Sequence, residues 1–423
     1  MSLVFEGAAQ VVPMMGEGPL RGTGLGDIEP VAGASLACSG DRIVESLERV
    51  PDVEIDARGC TLVPGFVDCH THLPFFGWRD DEDAARLAGE RYEALHRGEG
   101  GIFRSARLLA EASDAEVLQF SSGRAGEMLA HGTTSFDAKS GYGLSVAGEL
   151  RQLALANRLA KTIPQNVAVT CLAAHAVPRG RTADEWIDVA ATELLPRAKE
   201  EEGATACDLY VESIAFSLGH AERLALAAAE LGLVMRVHAD QLSDGGAARR
   251  AAELEFASAD HLNFTAPRAA RKLAAGDTAA VLLPGATFTL RQEAKPPARA
   301  LVDAGAVIAL GTDLNPGTSP VVSMPFVMAL ACRLYGLTPM EALAAATVNA
   351  AHVLGLADVG RAVGGYRADL VLLDAPSFEA VLYRPDVNPV LAVVAAGELV
   401  PVAPRAKNRV TVRRPQAPGA LPA

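Results

Sequence analysis

Eight short apolar stretches, each followed by a run of helix-forming residues, constrain this chain more than any other feature of it. The first ends at His72, and the others are Thr133–Asp137, Val167–Leu172, Cys207–Val211, Val234–His238, Phe256–His261, Ala279–Leu283 and Val307–Asp313. Segments rich in Ala, Leu, Glu and Arg separate them, such as Gly219–Leu231 and Pro339–Leu354, so the pattern reads as strand, amphipathic helix, strand. Such alternation builds parallel βα units, and eight of them close into an α/β fold, the (β/α)8 TIM barrel, with its functional groups where the strands end.

The two ends of the chain read differently. From Met1 to about Leu62 there are short strands joined by Gly- and Pro-rich turns, including Ala34–Cys38 and Gly40–Val44; Gly364–Asp374 and Val390–Val394 are of the same kind. Two β-rich ends flanking an α/β middle pair into one discontinuous unit. The expectation is a small β-sandwich domain from residues 1–63 and 365–423, with the barrel over 64–364. Val410–Val412 can add a last edge strand, and the basic run from Arg405 to Pro415 reads as a solvated end. At 423 residues the chain is too long for one small domain but fits a barrel with a companion.

Charge bounds the partners. A net charge of −13 and a pI near 5.2 argue against a nucleic-acid surface, which needs clustered Lys and Arg opposite the phosphates; a small-molecule substrate is expected. The cysteines Cys38, Cys60, Cys69, Cys171, Cys207 and Cys332 lie in apolar segments without a Cys-x-x-Cys pair, as reduced buried thiols do. Met1–Glu6 lacks a basic leader and a sustained apolar core, and no apolar stretch is long enough to cross a bilayer. A cytoplasmic protein without a membrane partner is expected.

What sits at the strand ends carries the chemistry. His70 and His72 end the first strand, His175 follows the third, His238 ends the fifth, His261 the sixth and Asp313 the eighth. Alternate side chains of a strand share a face, so His70 and His72 can present a ring nitrogen to the same ion while Thr71 turns away. With His238 and Asp313 they make three imidazoles and a carboxylate, a coordination set with room for a water. An ion there would bring that water's pKa toward neutrality, and Asp313 is the natural acceptor of its proton.

Pro64–His72, His238–Gln241 and Thr312–Asp313 resemble the motifs of the amidohydrolase superfamily. The segments Lys139–Leu144, Ala174–Pro178, Leu283–Phe288 and Thr312–Pro320 are similar to one branch of it, the branch that acts in histidine degradation, and the likeness runs from about Gly40 to Val400. The resemblance implies hydrolysis of the cyclic amide of 4-imidazolone-5-propanoate to N-formimino-L-glutamate. It implies one divalent metal, zinc or iron, on His70, His72, His238 and Asp313. Its substrate contacts fall on Arg79, Tyr142, His175, Gln241, Asn315, Gly317 and Thr318; on residue chemistry the reacting group is expected to meet Asp313, Gln241 and His261, with His175 the alternative to His261. It allows a homodimer, which no sequence stripe demands.

The residue chemistry agrees. A propionate is matched by an arginine, whose guanidinium forks onto a carboxylate with two parallel hydrogen bonds, and Arg79 stands seven residues past His72. Gly141 and Gly143 let the Tyr142 loop bend toward a ligand. His261 suits polarising the attacked carbonyl and His175 binding the ring. Gln241 cannot carry a proton, so Asp313 must both accept and return it. The same residue counts against a heterocyclic-base deaminase, the alternative reading, which would use Glu there. A two-metal relative would need a carboxylated lysine ending strand four; Lys139 follows strand two, and strand four ends near Val211 and Glu212. A catalytically silent barrel would have lost ligands, and none is missing.

Overall fold

A computed structural model describes residues 1–90, 100–400 and 403–413. The amino-terminal strands are β1 (Ser2–Val11), β2 (Val31–Ser39), β3 (Arg42–Val44), β4 (Val53–Asp56) and β5 (Thr61–Pro64). Then come β6 (Phe66–Asp68), β7 (Thr133–Lys139), β8 (Asn166–Ala174), β9 (Ala206–Val211), β10 (Val234–Ala239), β11 (Ser258–His261), β12 (Ala279–Leu282) and β13 (Ile308–Leu310). Four strands finish the described chain: β14 (Leu370–Leu373), β15 (Val390–Ala395), β16 (Glu398–Leu399) and β17 (Val410–Val412).

Strands β6 to β13 form one eight-stranded sheet in sequence order, parallel throughout. Its two ends meet beyond β6 and β13. Thr71 pairs with Leu314 in parallel, the Asp313 amide donates to the His70 carbonyl at 2.9 Å, and the His72 amide donates to the Leu314 carbonyl at 2.9 Å. This is the expected barrel, with one difference at the seam. Regular pairing stops at Asp68 and at Leu310 rather than at His72 and Asp313, because the Asp68 carboxylate takes over the ladder: it accepts from the Thr312 amide at 2.9 Å and from the Thr312 hydroxyl at 2.6 Å. Pro339–Leu354 likewise divides into two helices, Pro339–Ala345 and Val348–Leu354. Between them Thr347 leaves the helical backbone at φ −132° and ψ −96°, and its hydroxyl donates to the Leu343 carbonyl.

The ends of the chain build a separate nine-stranded mixed sheet that forks at β1. Leu3–Glu6 pair with β4, which carries β17 on its far edge, whereas Gln10–Val11 pair with β5, which leads through β14 and β15 to β16. Leu3, Phe5, Ile55, Leu62, Leu370, Leu372 and Val394 pack into one apolar core drawn from both arms. Val410–Val412 do form the edge strand. Arg409, just before it, donates to the Asp56 and Arg58 carbonyls, so this part of the basic run is tied to the sheet; Arg414 and Pro415 lie outside the described residues.

The barrel interior is charged where an ordinary core is apolar. Asp68, Asp137, Lys139, Asp208, Arg236 and Asp260 are all buried. Side chains of a barrel strand alternate inward and outward, and the pairs 68 and 70, 137 and 139, and 236 and 238 sit two residues apart on one strand each. The aligned inward positions therefore stack charge beneath the mouth.

Candidate metal centre and substrate cavity

His70, His72, His238, His261 and Asp313 come together at the carboxyl ends of the strands, each 3% exposed or less. The rings of His70 and His238 lie 4.5 Å apart by centroid, His70 and His72 5.3 Å, and His238 and His261 5.4 Å. The Asp313 carboxylate reaches His72 Nε2 at 3.2 Å and His70 Nε2 at 3.6 Å.

Backbone strain helps bring them there. His261 has φ +80° and Asp313 φ +56°, left-handed values that non-glycine residues adopt at some cost. In His261 that turn swings the ring to the mouth although its neighbour Asp260 occupies the inward position of β11.

Two histidines are held from behind. His70 Nδ1 donates to Asp260 Oδ2 at 2.6 Å, and His238 Nδ1 donates to Asp208 Oδ1 at 3.1 Å. A proton fixed on Nδ1 leaves the Nε2 lone pair facing the centre. His70 Nε2, His238 Nε2, His72 Nδ1 and His261 Nδ1 are buried without any hydrogen-bond partner among the described residues. Unpaired ring nitrogens in a buried site are costly unless something binds them. Two overlapping groups, His70 with His238 and His261, and His70 with His72 and Asp313, each bring their donor atoms within 4.8 Å of one another. Nitrogen and carboxylate donors in that number fit a divalent transition ion. His261, expected to face the attacked carbonyl, is thus also within reach of a ligand's place.

Burial keeps the imidazoles neutral. Burial pushes His70 and His175 well below the usual histidine value, lowers His72, and takes His261 to about 3. Burial works against ionised Asp313, but the hydrogen bond from His72 and the nearby imidazoles outweigh it, and its pKa is lowered. Burial raises Asp260 to about 6 and Asp68 to about 7. Asp208 goes the other way: burial is overcome by His238 and Lys139, and its pKa falls well below the carboxylate range.

A cavity opens over the cluster, lined by His72, Arg79, Ile102, Tyr142, His175, Tyr210, His238, Gln241, His261, Asp313, Asn315 and Thr318. Of the expected substrate residues, only Gly317 is not on its wall. Gly317 instead makes room: a Cβ there would stand 2.1 Å from Arg79 Nη2, so the buried guanidinium lies across its bare α-carbon. Asn315 shapes the same loop. Its Oδ1 accepts from the Gly317 amide at 2.9 Å and the Thr318 amide at 2.7 Å, and its Nδ2 donates to the Asp313 carbonyl at 2.6 Å.

Across the cavity, the Tyr142 loop hangs on two helical side chains. Glu149 accepts from the Gly141 amide at 2.6 Å and the Leu144 amide at 2.8 Å, and Gln152 accepts from the Tyr142 amide at 3.0 Å. Gly143 is needed for this approach, since a Cβ would fall 2.1 Å from the Glu149 amide. His175 Nδ1 contacts the Gly141 carbonyl at 3.0 Å, and its ring stacks on His72 at 5.1 Å.

Sequence reasoning missed Asp208, Asp260, Tyr210, Glu149 and Glu82, whose carboxylate meets Arg79 Nη1 at 3.4 Å and the Gly101 amide at 3.2 Å. The signal for the first two was there: an acid inside an apolar parallel strand must have a partner. Lys139, weighed as a metal-bridging group, is an ion-pair partner, 2.8 Å from Asp208 and 2.9 Å from Asp137. Burial opposes its charge, but those two carboxylates hold its pKa above the usual lysine value. Glu212, near the end of strand four, is taken up by the Leu242 and Ser243 amides.

Fold and site together define a member of the amidohydrolase family, whose profile matches residues 61–400. Two curated relatives are imidazolonepropionases: that of Rubrobacter xylanophilus is 43% identical over 94% of this chain and 98% of its own, and that of Symbiobacterium thermophilum 40% identical over 95% and 97%. The chain belongs with them to the imidazolonepropionase family. Among solved structures, a zinc-bound adenosine deaminase from Xanthomonas campestris superposes with TM-score 0.68 at 20% identity, over 94% of this chain and 92% of that one. A guanine deaminase from C. acetobutylicum superposes with TM-score 0.69 at 15% identity, over 95% and 100%. At such identities the likeness bears on the fold alone.

Proposed function

We propose that this chain hydrolyses the cyclic amide of 4-imidazolone-5-propanoate to N-formimino-L-glutamate, in histidine degradation, using one divalent ion, zinc or iron, held by His70, His72, His238 and Asp313. The observation that carries the reading is one cavity shared by a buried arginine and a nest of unpaired imidazole nitrogens. A substrate that is anionic at one end and a cyclic amide at the other answers to both.

Held by His70, His72, His238 and Asp313, a divalent ion would supply an acidified water and a polarised amide carbonyl. The residues do the rest. Arg79 forks onto the propionate and fixes the ring's position over the cluster. Tyr142, His175, Asn315 and Thr318 close the ring's sides and exclude bulk water. Asp313 takes a proton from the attacking water as its oxygen bonds to the ring carbonyl carbon, while His261 faces the carbonyl oxygen where negative charge develops. Asp313 then returns the proton to the amidine nitrogen as its bond to that carbon breaks. The Gln241 carboxamide can hydrogen-bond to the ring but carries no proton.

The amidohydrolase fold also serves aminohydrolases, and substrate choice separates the readings. Decay of imidazolonepropionate followed by its ultraviolet absorbance, beside dihydroorotate, hydantoin and guanine, with metal content measured on the same sample, decides the case. Turnover of imidazolonepropionate alone is the expected result. Turnover of guanine alone would replace it with a deaminase. No described helix is long and apolar enough to cross a membrane, and the reading carries with it a cytoplasmic enzyme and allows a homodimer, the latter open to a mass measurement in solution.

A further inference from the structure

Beneath the mouth, the barrel holds an unbroken chain of buried ionic contacts that the proposed chemistry does not use. It starts at His238, whose Nδ1 meets Asp208 Oδ1 at 3.1 Å. The other oxygen of Asp208 meets Lys139 Nζ at 2.8 Å. Lys139 in turn meets Asp137 Oδ2 at 2.9 Å, and Asp137 meets Arg236 Nη1 at 3.0 Å. Arg236 finally donates to the Val353 carbonyl at 3.0 Å, near the other end of the barrel. Every side chain in it is 3% exposed or less.

Such an arrangement is expensive to bury, so its geometry must serve something. The comparison within the site shows what. Both Nδ1-tethered histidines rest on a carboxylate, but only one of those carboxylates is gripped on both oxygens. Asp260 Oδ1 has no hydrogen-bond partner among the described residues, whereas both oxygens of Asp208 are engaged. Asp208 therefore cannot rotate without breaking an ion pair, and His238 cannot turn without breaking its bond to Asp208.

We propose that Lys139 is a positioning residue for the metal centre: by clamping Asp208 it fixes the tautomer and the aim of His238, and so sets how tightly the centre holds its ion. This rests on the reading of His238 as a ligand. Lys139 acts through two intermediaries and touches neither ion nor substrate. A simple charge account makes the opposite claim, since removing a buried cation from beside the centre should let a divalent ion bind more tightly.

The test is the affinity of the folded protein for zinc, measured by competition with a chromogenic chelator, together with the visible spectrum of the cobalt-loaded form as a readout of ligand geometry. Lys139→Met is expected to weaken zinc binding by about ten- to a hundred-fold, as loss of an outer partner of a metal-bound histidine does, and to alter the cobalt bands. Lys139→Gln removes the same charge but keeps a hydrogen-bond donor for Asp208, so it serves if the methionine variant fails to fold and is expected to lose less. Unchanged or tighter zinc binding in a folded variant overturns the proposal. If the parent chain binds no zinc or cobalt, it is the metal-centre reading that fails, a result the variants cannot mimic.

Discussion

The guanidinium of Arg79 lies across the bare α-carbon of Gly317, so closely that a Cβ built on Gly317 would stand 2.1 Å from Nη2 and 2.2 Å from Cζ. A single methyl group therefore tests the arginine without touching it. Gly317→Ala is expected to push the guanidinium off its seat and weaken the hold on the propionate. A charge-assisted hydrogen bond is worth about 2 kcal/mol, so KM should rise by about thirty-fold with a smaller change in kcat. An analogue with methyl in place of the propionate should lose nothing further between parent and variant. Equal losses for both substrates would mean that Arg79 does not bind the carboxylate.

Removing the ion should abolish turnover. Exhaustive dialysis against a chelator is expected to leave a folded, inactive protein, and one equivalent of zinc or iron per chain to restore it. His238→Ala should copy the dialysed state, since it deletes a donor whose Nε2 is already unpartnered in the cluster. Turnover that survives a metal content near zero would remove the basis of the mechanism.

In the proposed mechanism Asp313 and Gln241 divide the proton work unequally. Asp313→Asn keeps the shape but not the base, and loss of a general base costs about 10²- to 10⁴-fold in rate; kcat should fall in that range, with metal content checked on the same preparation. Gln241→Glu adds a second carboxylate to the cavity wall. If Asp313 already accepts and returns the proton, kcat near neutral pH should stay within about three-fold of the parent by the same measure. A large gain would show that proton return limits the parent enzyme.

Much of this centre could be read from the chain before any coordinates. His70, His72, His238 and Asp313 fall at strand ends, and a barrel brings strand ends together whatever the helices between them do. Period-two alternation and the order of the units were enough. What stayed hidden depends on contacts that no local pattern encodes. Asp208 and Asp260 could have been noticed as acids in apolar strands, but which histidine each one backs does not follow from the register, which sets His238 opposite Asp260 and Tyr210; inside the barrel Asp260 reaches His70 and Asp208 reaches His238. His261 reaches the mouth only through its left-handed backbone. Gly317 was legible as part of a loop near substrate, while its service to Arg79 is a matter of the space it leaves.

Acid stability of the metal-free protein offers a check on the buried imidazoles. Burial lowers the His261 pKa in the folded chain to about 3, from the 6.5 of an exposed histidine. A depressed value means that the unfolded chain binds the proton first, so stability is fully present above about pH 6.5 and is lost as pH falls toward 3. At pH 5 the loss from this one group is about 2 kcal/mol. Asp68 and Asp260, raised by burial to about 7 and about 6, act in the opposite sense, because the folded chain takes up their protons first. Comparing a variant with the parent separates the contributions. Metal-free His261→Gln should lose less stability between pH 8 and pH 5 than the parent does, by about 2 kcal/mol in urea denaturation, whatever its stability at pH 8. Parallel curves for the two proteins would place the histidine in a wetter setting than the one the fold gives it.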